Sequence, residues 1–179
     1  METEIHKGGG RRSAADGLVV IALGGNLPGD FGSSEALLEA ALARFAQAGL
    51  PVVSRSSWWR SAAWPEPDEN EYRNGVALVE ARLPPSDTLR TLLALEAEFG
   101  RARAQKNAAR TLDLDLIAHG RILMETPNLV LPHPRAHERL FVMGPLAEIA
   151  PEWRHPRLGT TAAVLAGAAT VGLDARPIS

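Results

Sequence analysis

The feature that most constrains this chain is the segment 110–117, which reads Arg-Thr-Leu-Asp-Leu-Asp-Leu-Ile. Apolar and polar residues alternate there with a period of two, which is the pattern of a half-buried β-strand. Residues two apart on a strand share a face, so Asp113 and Asp115 project together while the leucines beside them enter the core. Two carboxylates on one rigid face repel each other unless a cation lies between them.

Mg²⁺ suits such a pair, because it takes few carboxylates and completes its octahedron with water and phosphate oxygens. Arg110 stands just before the strand, where its guanidinium could hold a phosphate. The other interpretation is an edge strand with a solvated acidic face, and D-x-D alone, which is short and common, favours that simpler interpretation. The choice therefore depends on the rest of the chain.

Composition excludes several classes of protein. The chain has 179 residues, which suits one domain, and its net charge of -2 indicates neither a general nucleic-acid binder nor a membrane-surface binder. It has no cysteine, which rules out disulfides, thiolate metal sites and a cysteine nucleophile. No apolar run approaches the ~20 residues that span a bilayer. We expect a cytoplasmic protein with a disordered tail over residues 1–16 and a single domain over 17–179.

Strand and helix patterns alternate along the chain, which indicates an α+β layered fold with a largely antiparallel sheet. Gly120 is expected to turn the Asp113 strand into a hairpin partner at residues 121–124. The other expected strands are 18–23, 52–60 and 75–83, and the expected helices are 33–47, 84–100, 137–148 and 161–169.

Two further groups of residues could contact a ligand. Glycines at 24 and 25 would let backbone approach a ligand closely, and Asn26 could hydrogen-bond it, although a plain tight turn explains the same residues. Tyr72 and Asn74 share a face at the start of a strand. An asparagine offers a donor and an acceptor, which suits the amide edge of a heterocycle, and a strand-end polar pair is the alternative.

His133 stands between two prolines, so it is expected to lie in an extended loop. It could donate to a phosphate or simply be exposed, and the nearby Arg135 and Arg139 favour an anion site. The standard nucleotide motifs G-x-x-x-x-G-K-[ST] and G-x-G-x-x-G are both absent.

Several segments, taken together and in order, resemble the 6-hydroxymethyl-7,8-dihydropterin pyrophosphokinase family of folate biosynthesis. The resemblance covers roughly residues 18–165, and the succession of R-T-L-D-L-D, P-H-P-R and P-L-x-E-I-A-P is highly specific. The segments that carry it are 22–27, 72–76, 100–103, 110–116, 131–135, 139–142 and 145–151.

The resemblance implies a ferredoxin-like fold and an enzyme, expected to be a monomer, that moves the pyrophosphoryl group of ATP to the hydroxymethyl oxygen of the dihydropterin. It implies that Asp113 and Asp115 hold two Mg²⁺ ions, that Arg101 and Arg110 act in catalysis, and that loops 61–71 and 101–110 close as lids. The residues implied to face the pterin are Gly25, Asn26, Ser61, Ala62, Trp64, Tyr72, Asn74 and Phe141, with Phe141 stacked on the ring. Those implied to contact ATP are Glu96, Arg103, Arg110, His133 and Arg139.

Three departures from the family pattern stand out. The usual T-P-P before the first lid is Ser-Ala-Ala at 61–63, so that lid is expected to be more flexible. The usual W-G-P is Asn-Ala-Ala at 107–109, so an aromatic that helps to seal the site is missing. The usual G-S-N is Gly-Gly-Asn at 24–26, which keeps the turn. None of the three removes a metal ligand or Asn74.

Two other classes of function stay open at this point. One is a non-catalytic relative that binds a pterin or a nucleotide, although a mere binder has little need for both aspartates. The other is a ferredoxin-like RNA-binding module, which would need exposed strand aromatics and a basic face. The acidic balance of the chain disfavours that module.

Overall fold

The computed structural model describes residues 13–63, 70–100 and 111–179. Its strands are β1 (Val19–Gly25), β2 (Val52–Arg55), β3 (Trp59–Ser61), β4 (Tyr72–Val79), β5 (Asp113–His119), β6 (Met124–Glu125), β7 (Val130–Leu131) and β8 (Arg176–Pro177). Its α-helices are α1 (Ser34–Arg44), α2 (Pro85–Glu98), α3 (Leu140–Ile149) and α4 (Ala162–Ala168).

Six strands form one sheet in the order β5-β1-β4-β3-β8, with β2 also paired to β4. All these pairings are antiparallel. Helices α1 and α2 connect the strands on one face of the sheet, whereas α3 and α4 cover the other face. This is the ferredoxin-like α+β arrangement expected from the sequence, and it confirms the predicted fold class.

The central strand β1 is buried on both sides because it separates two apolar cores. Val19, Ile21 and Leu23 pack towards α1 and α2. Val20 and Ala22 pack towards α3 and α4.

The single strand predicted over 52–60 is wrong, because two short strands stand there. Buried Ser56 interrupts the ladder: its Oγ accepts the Val76 N–H at 3.0 Å and donates to the Ser57 carbonyl at 2.8 Å. A serine side chain that takes a backbone group competes with regular pairing in this way. The following strand begins at Tyr72, three residues before the predicted start at Gly75.

The hairpin predicted around Gly120 is also wrong. Gly120 makes a turn with φ of 55°, but the chain then leaves the main sheet and β6 pairs with β7. Among the described strands, β5 consequently pairs with β1 alone and lies at the edge of the sheet. The helix predicted over 137–148 is shorter at its start, since Ala136–Glu138 form a 3-10 turn before α3.

The structure describes the end of the predicted N-terminal tail, and the division of the chain at residue 16 stays a prediction. Ser13 caps a 3-10 turn over Ala14–Gly17, and the buried Asp16 accepts the Arg154 N–H at 2.9 Å. Residues 1–12 lie outside the described residues. No helix in the described ranges combines the length and apolar character needed to cross a membrane.

Candidate active site

A row of residues crosses the sheet on the face shared with α3. Gly24 of β1 is paired with Asp113 of β5 on one side and with Asn74 of β4 on the other, and Asn74 is paired in turn with Trp59 of β3. Neighbouring strands lie about 4.8 Å apart, so roughly 10 Å separates the backbones of Asp113 and Asn74. The row places a carboxylate and an amide on one face with a glycine between them.

Gly24 leaves the space between these two side chains open. A Cβ built on it would lie 3.5 Å from Asn74 Oδ1 and 3.6 Å from the Arg73 carbonyl oxygen. Asp115, two residues along β5, is paired with Ala22. The two carboxylates and the Asn74 amide therefore border one slot with a small, flat floor.

The two aspartates are half-buried, whereas Leu112, Leu114 and Leu116 are at most 4% exposed. This confirms the alternation predicted for the strand. The buried Glu96 of α2 holds the outer edge of β5, because its Oε1 accepts the Leu114 N–H at 2.7 Å. The predicted contact of Glu96 with ATP stays a prediction.

A cavity of about 370 Å³ opens beside the aspartates, between α2, β5 and the segment that leads to His133. Its size suits a small-molecule ligand. Its apolar side is formed by Leu89, Leu93 and Leu129, and its polar side by Glu96, Asp113, Asp115 and His133.

His133 is arranged as a neutral donor. Its Nδ1 accepts the Arg135 N–H at 3.2 Å, which assigns the ring proton to Nε2. Burial lowers the pKa of His133, the positive charge of Arg139 lowers it further, and Asp113 opposes the shift. The ring is therefore neutral near pH 7 and offers one N–H to an acceptor such as a phosphate oxygen.

Asn74 is fixed in orientation by a residue of the neighbouring strand. The side chain is 7% exposed, and its Nδ2 donates to Ser61 Oγ at 2.9 Å. This bond leaves Oδ1 on the side of Gly24, where it can accept a hydrogen bond from a ligand. Sequence reasoning placed Ser61 near the pterin but missed this role, which only the pairing of β3 with β4 shows.

Phe141 lies in the first turn of α3, on the same face of the sheet as Asn74. The Arg139 guanidinium carbon stands 5.8 Å from the centre of its ring, within cation–π range. Tyr72 is half-buried, two residues before Asn74, and so shares its face as predicted. Aromatic surface therefore stands on two elements around the slot.

The turn after β1 is tied to the far end of the first predicted lid. Gly25 and Asn26 are both buried, and Asn26 Nδ2 donates to the Asn70 carbonyl at 3.3 Å. Ala62, also predicted to face the pterin, is exposed at the end of β3, and its N–H donates to Asp174 Oδ2 at 2.5 Å. The structure thus places both segments at the end of β4 that carries Tyr72 and Asn74, and their contact with the pterin stays a prediction.

Glu148 is a residue whose role sequence reasoning missed. Its carboxylate accepts the Ser57 N–H at 2.7 Å, the Ser57 hydroxyl at 2.8 Å and Trp59 Nε1–H at 2.9 Å. Burial alone would raise the pKa of Glu148, but these hydrogen bonds lower it. The Trp59 ring lies against Gly144, where a Cβ would meet ring carbons at 2.5 Å. Glu148 is the glutamate of the P-L-x-E-I-A-P segment, but the sequence alone did not show that Ser57 and Trp59 are its hydrogen-bond partners.

Four predicted site residues, Trp64, Arg101, Arg103 and Arg110, lie outside the described residues. Asn107, which stands in place of the family's aromatic, lies outside them as well. Their parts in closing the site stay predictions.

A family model described as 7,8-dihydro-6-hydroxymethylpterin-pyrophosphokinase matches residues 20–151. The chain belongs to this family. The pyrophosphokinase of Synechocystis is 46% identical over 145 residues, which cover 79% of this chain and 71% of that relative. The pyrophosphokinase of Pseudomonas aeruginosa is 38% identical over 138 residues, which cover 77% and 83%.

Solved structures support the same fold. The wild-type HPPK-DHPS crystal structure of Plasmodium falciparum superposes with a TM-score of 0.69 at 12% identity, over 90% of this chain and 48% of that chain. The chain spans about half the length of that solved protein. Membership of the family makes this chain a pyrophosphokinase of folate biosynthesis, which transfers pyrophosphate from ATP to hydroxymethyldihydropterin.

Proposed function

We propose that this enzyme binds its dihydropterin across Gly24, between Asn74 and two Mg²⁺ ions held by Asp113 and Asp115. The observation that carries this proposal is the paired row of Asp113, Gly24 and Asn74 on one face of the sheet. A pterin that lies flat on Gly24 can present its amide edge to Asn74 and its hydroxymethyl arm towards the aspartates.

The donor set of the aspartates fits Mg²⁺. Asp113 and Asp115 offer two carboxylates on one face of β5, and among the described residues no group of three or more His, Asp or Glu side chains could hold a metal ion. Mg²⁺ is commonly bound by one or two carboxylates, with water and substrate phosphates in the other positions. Bound Mg²⁺ would supply charge neutralisation for the triphosphate.

We assign the cavity beside β5 to the nucleotide. Its leucine-lined side suits the adenosine, and His133, which lines the same cavity, would offer its Nε2–H to a phosphate. Arg139 adds a positive charge near His133, since it lowers the pKa of that ring. The family resemblance adds Arg101, Arg103 and Arg110 to these charges.

The pterin would be recognised by a hydrogen bond to Asn74 and by stacking on Phe141. Asn74 Oδ1 is turned to the slot, so it accepts from a ring N–H or an exocyclic amine of the pterin. Phe141, which projects from the first turn of α3, would stack on the ring. A ligand that lacks the donor would leave a buried acceptor unpaired, which is the basis of specificity here.

The reaction needs positioning more than covalent help from the protein. The hydroxymethyl oxygen attacks the β-phosphorus of ATP, the bond from that phosphorus to the α-phosphate oxygen breaks, AMP leaves, and the hydroxyl proton is released. Holding the two substrates in line supplies much of the rate, and cationic groups around the phosphates stabilise the charge. Among the described residues, Arg139 would supply a positive charge and the neutral His133 a hydrogen-bond donor to the phosphates. We further propose a monomer, which light scattering would test.

The test is AMP formation from ATP and Mg²⁺, with and without the dihydropterin. Asp115→Asn keeps the shape of the side chain but removes one charge, so the rate should fall on the order of 100-fold or more. Fold stability should hold or rise slightly, because two like charges are relieved. Glu152→Gln, at an exposed acid after α3, is the matched control and should be unaffected.

Two results would contradict the proposal. Normal turnover of Asp115→Asn at low Mg²⁺ would show that the metal assignment is wrong. Pterin binding by the wild-type protein without pterin-dependent AMP formation would instead indicate the non-catalytic relative.

A further inference from the structure

The last residues of the chain are tied to the site although they lie beyond the stretch that the family model matches, residues 20–151. We call residues 170–178 the C-terminal strap. At its start, the N–H groups of Thr170 and Val171 both donate to the Glu138 carbonyl at 2.9 Å. At its end, β8 pairs with β3, and the Ile178 N–H donates to the Trp58 carbonyl at 3.0 Å. The strap therefore joins the start of α3 to the strand that carries Ser61.

Between these anchors, Gly172 of the strap lies directly against Phe141. Gly172 has a φ of 68°, and a Cβ placed on it would clash with the Phe141 ring. A glycine is required at this position for both reasons, the backbone conformation and the space. The strap thus forms the backing of the aromatic ring proposed to stack on the pterin.

Asp174 contacts the end of β3. We call Ser61 and Ala62, where this strand ends, the corner. Its Oδ2 accepts the Ala62 N–H at 2.5 Å, and a hydrogen bond to a carboxylate is among the stronger ones. Ala62 follows Ser61, whose hydroxyl accepts from Asn74 Nδ2. The position of the Asn74 amide therefore depends on Asp174 through this corner.

The hydrogen bond between Ala62 and Asp174 is possible because residues 61–63 lack the prolines that are usual in the family. A proline at position 62 would have no N–H, so it would restrict the corner by its ring and could not donate to Asp174. Alanine leaves the backbone freer but provides the donor that the strap uses. We propose that the C-terminal strap is a positioning element of the pterin site, with Asp174 fixing the corner that orients Asn74 and Gly172 fixing Phe141.

This inference rests on the proposed function for the ligand, and a binding experiment tests it. Dihydropterin and Mg-ATP affinities are measured separately by calorimetry for the wild type, Asp174→Ala and Asp174→Asn. Asp174→Ala should weaken pterin binding by about three- to tenfold, whereas nucleotide binding should change by less than about twofold. Asp174→Asn, which keeps an acceptor oxygen, should restore most of the pterin affinity.

The neighbouring Leu173→Ala is the matched control, because Leu173 is 66% exposed in the same strap. It should leave both affinities unchanged. Thermal unfolding of each variant is followed in parallel. A loss of pterin affinity with unchanged nucleotide affinity separates positioning from a general loss of structure.

A double-mutant cycle with Ala62→Pro tests the contact itself. Ala62→Pro removes the N–H, so Asp174→Ala should have no further effect on pterin affinity in that background. Additive losses would overturn the proposed contact. Unchanged pterin affinity in Asp174→Ala would overturn the positioning role, and tighter binding would show that the carboxylate obstructs the ligand.

Asn74→Ala separates failure of this inference from failure of the proposed function. If Asn74→Ala loses pterin affinity and Asp174→Ala does not, only the role of the strap is wrong. If Asn74→Ala binds the pterin normally, the pterin site itself is misplaced.

Discussion

Gly24→Ala, at the floor of the slot, should weaken pterin binding without lowering the free energy of unfolding. Its new Cβ would lie 3.5 Å from Asn74 Oδ1 and 3.6 Å from the Arg73 carbonyl oxygen, which are ordinary van der Waals distances. Gly24 lies in a regular antiparallel strand, so its backbone conformation suits alanine. The substitution should leave the free energy of unfolding unchanged or raise it by about 0.4–1 kcal/mol, because the unfolded chain loses conformational freedom.

The same methyl group should weaken pterin binding. It would project from the sheet between Asn74 and Asp113, where the proposed pterin must lie flat to reach both. Overfilling a packed contact typically costs about 1–3 kcal/mol, which corresponds to about 5- to 150-fold in pterin affinity. Nucleotide affinity in the absence of pterin should change little, since the cavity proposed for the nucleotide lies between β5 and α2, away from Gly24.

Calorimetry with each ligand and urea unfolding of the same preparations provide the assay. Gly75→Ala is the matched control, because Gly75 faces the opposite side of the sheet and its Cβ would fall 2.5 Å from a Trp58 ring carbon. That control should lose about 1–3 kcal/mol of stability. A folded Gly24→Ala with wild-type pterin affinity would refute the placement of the pterin over this residue.

Two further predictions concern groups around the site. Glu148→Gln should lower the free energy of unfolding by about 1 kcal/mol in urea titrations, because one neutral amide cannot replace a carboxylate that accepts from both Ser57 and Trp59. His155 has its pKa lowered to about 4, first by burial and then by His137 and Arg121, from an ordinary value of 6.5. Between these pH values the unfolded chain binds a proton that the native chain does not, so stability should fall as pH drops from about 6.5 to 4, by at most about 3 kcal/mol. Urea titrations at about pH 7.5 and pH 5 should show a smaller fall for His155→Asn than for the wild type, and equal falls would contradict the assignment.

The alternation of polar and apolar residues was enough to predict which side chains share a face of one strand. The alternation around Asp113 and Asp115 is a property of the strand itself, so the shared face of the carboxylates could be predicted without knowing any neighbour. Tyr72 and Asn74 follow the same rule. The family resemblance then supplied their roles, which alternation alone left open.

Pairing between strands could not be predicted in the same way, because it depends on contacts distant in sequence. The break after β2 depends on Ser56, which bonds to Val76, and on Glu148, which lies 91 residues from Ser57. The turn at Gly120 has the chemistry of a hairpin, but the following residues pair with β7 instead. β5 is left at the edge of the sheet, and this makes its Leu114 N–H available to Glu96.

The two ends of the slot are built on different principles, and this difference determines how variants should behave. At the end of the slot that holds the Asn74 amide, described residues hydrogen-bond to one another. Ser61 orients Asn74, and Asp174 accepts from the N–H of Ala62 beside Ser61. Glu148 accepts from the Trp59 ring nitrogen. Such contacts join groups of the protein itself, so we expect them to act on the bound pterin in its ground state and in the transition state alike. Their loss should raise the KM for pterin and leave kcat near its original value.

The carboxylate end depends on charge that the reaction itself redistributes. Asp113 and Asp115 border the cavity, and His133 beside them is kept neutral, so its ring offers the phosphates a hydrogen-bond donor without a positive charge. We expect charge neutralisation at that end to come from Arg139, from the proposed Mg²⁺ ions and from the arginines predicted at 101–110. Because phosphoryl transfer is accelerated mainly by electrostatic stabilisation of its transition state, substitution of these groups should lower kcat. A chain with an intact amide end and a substituted aspartate should therefore still bind the pterin while failing to convert it.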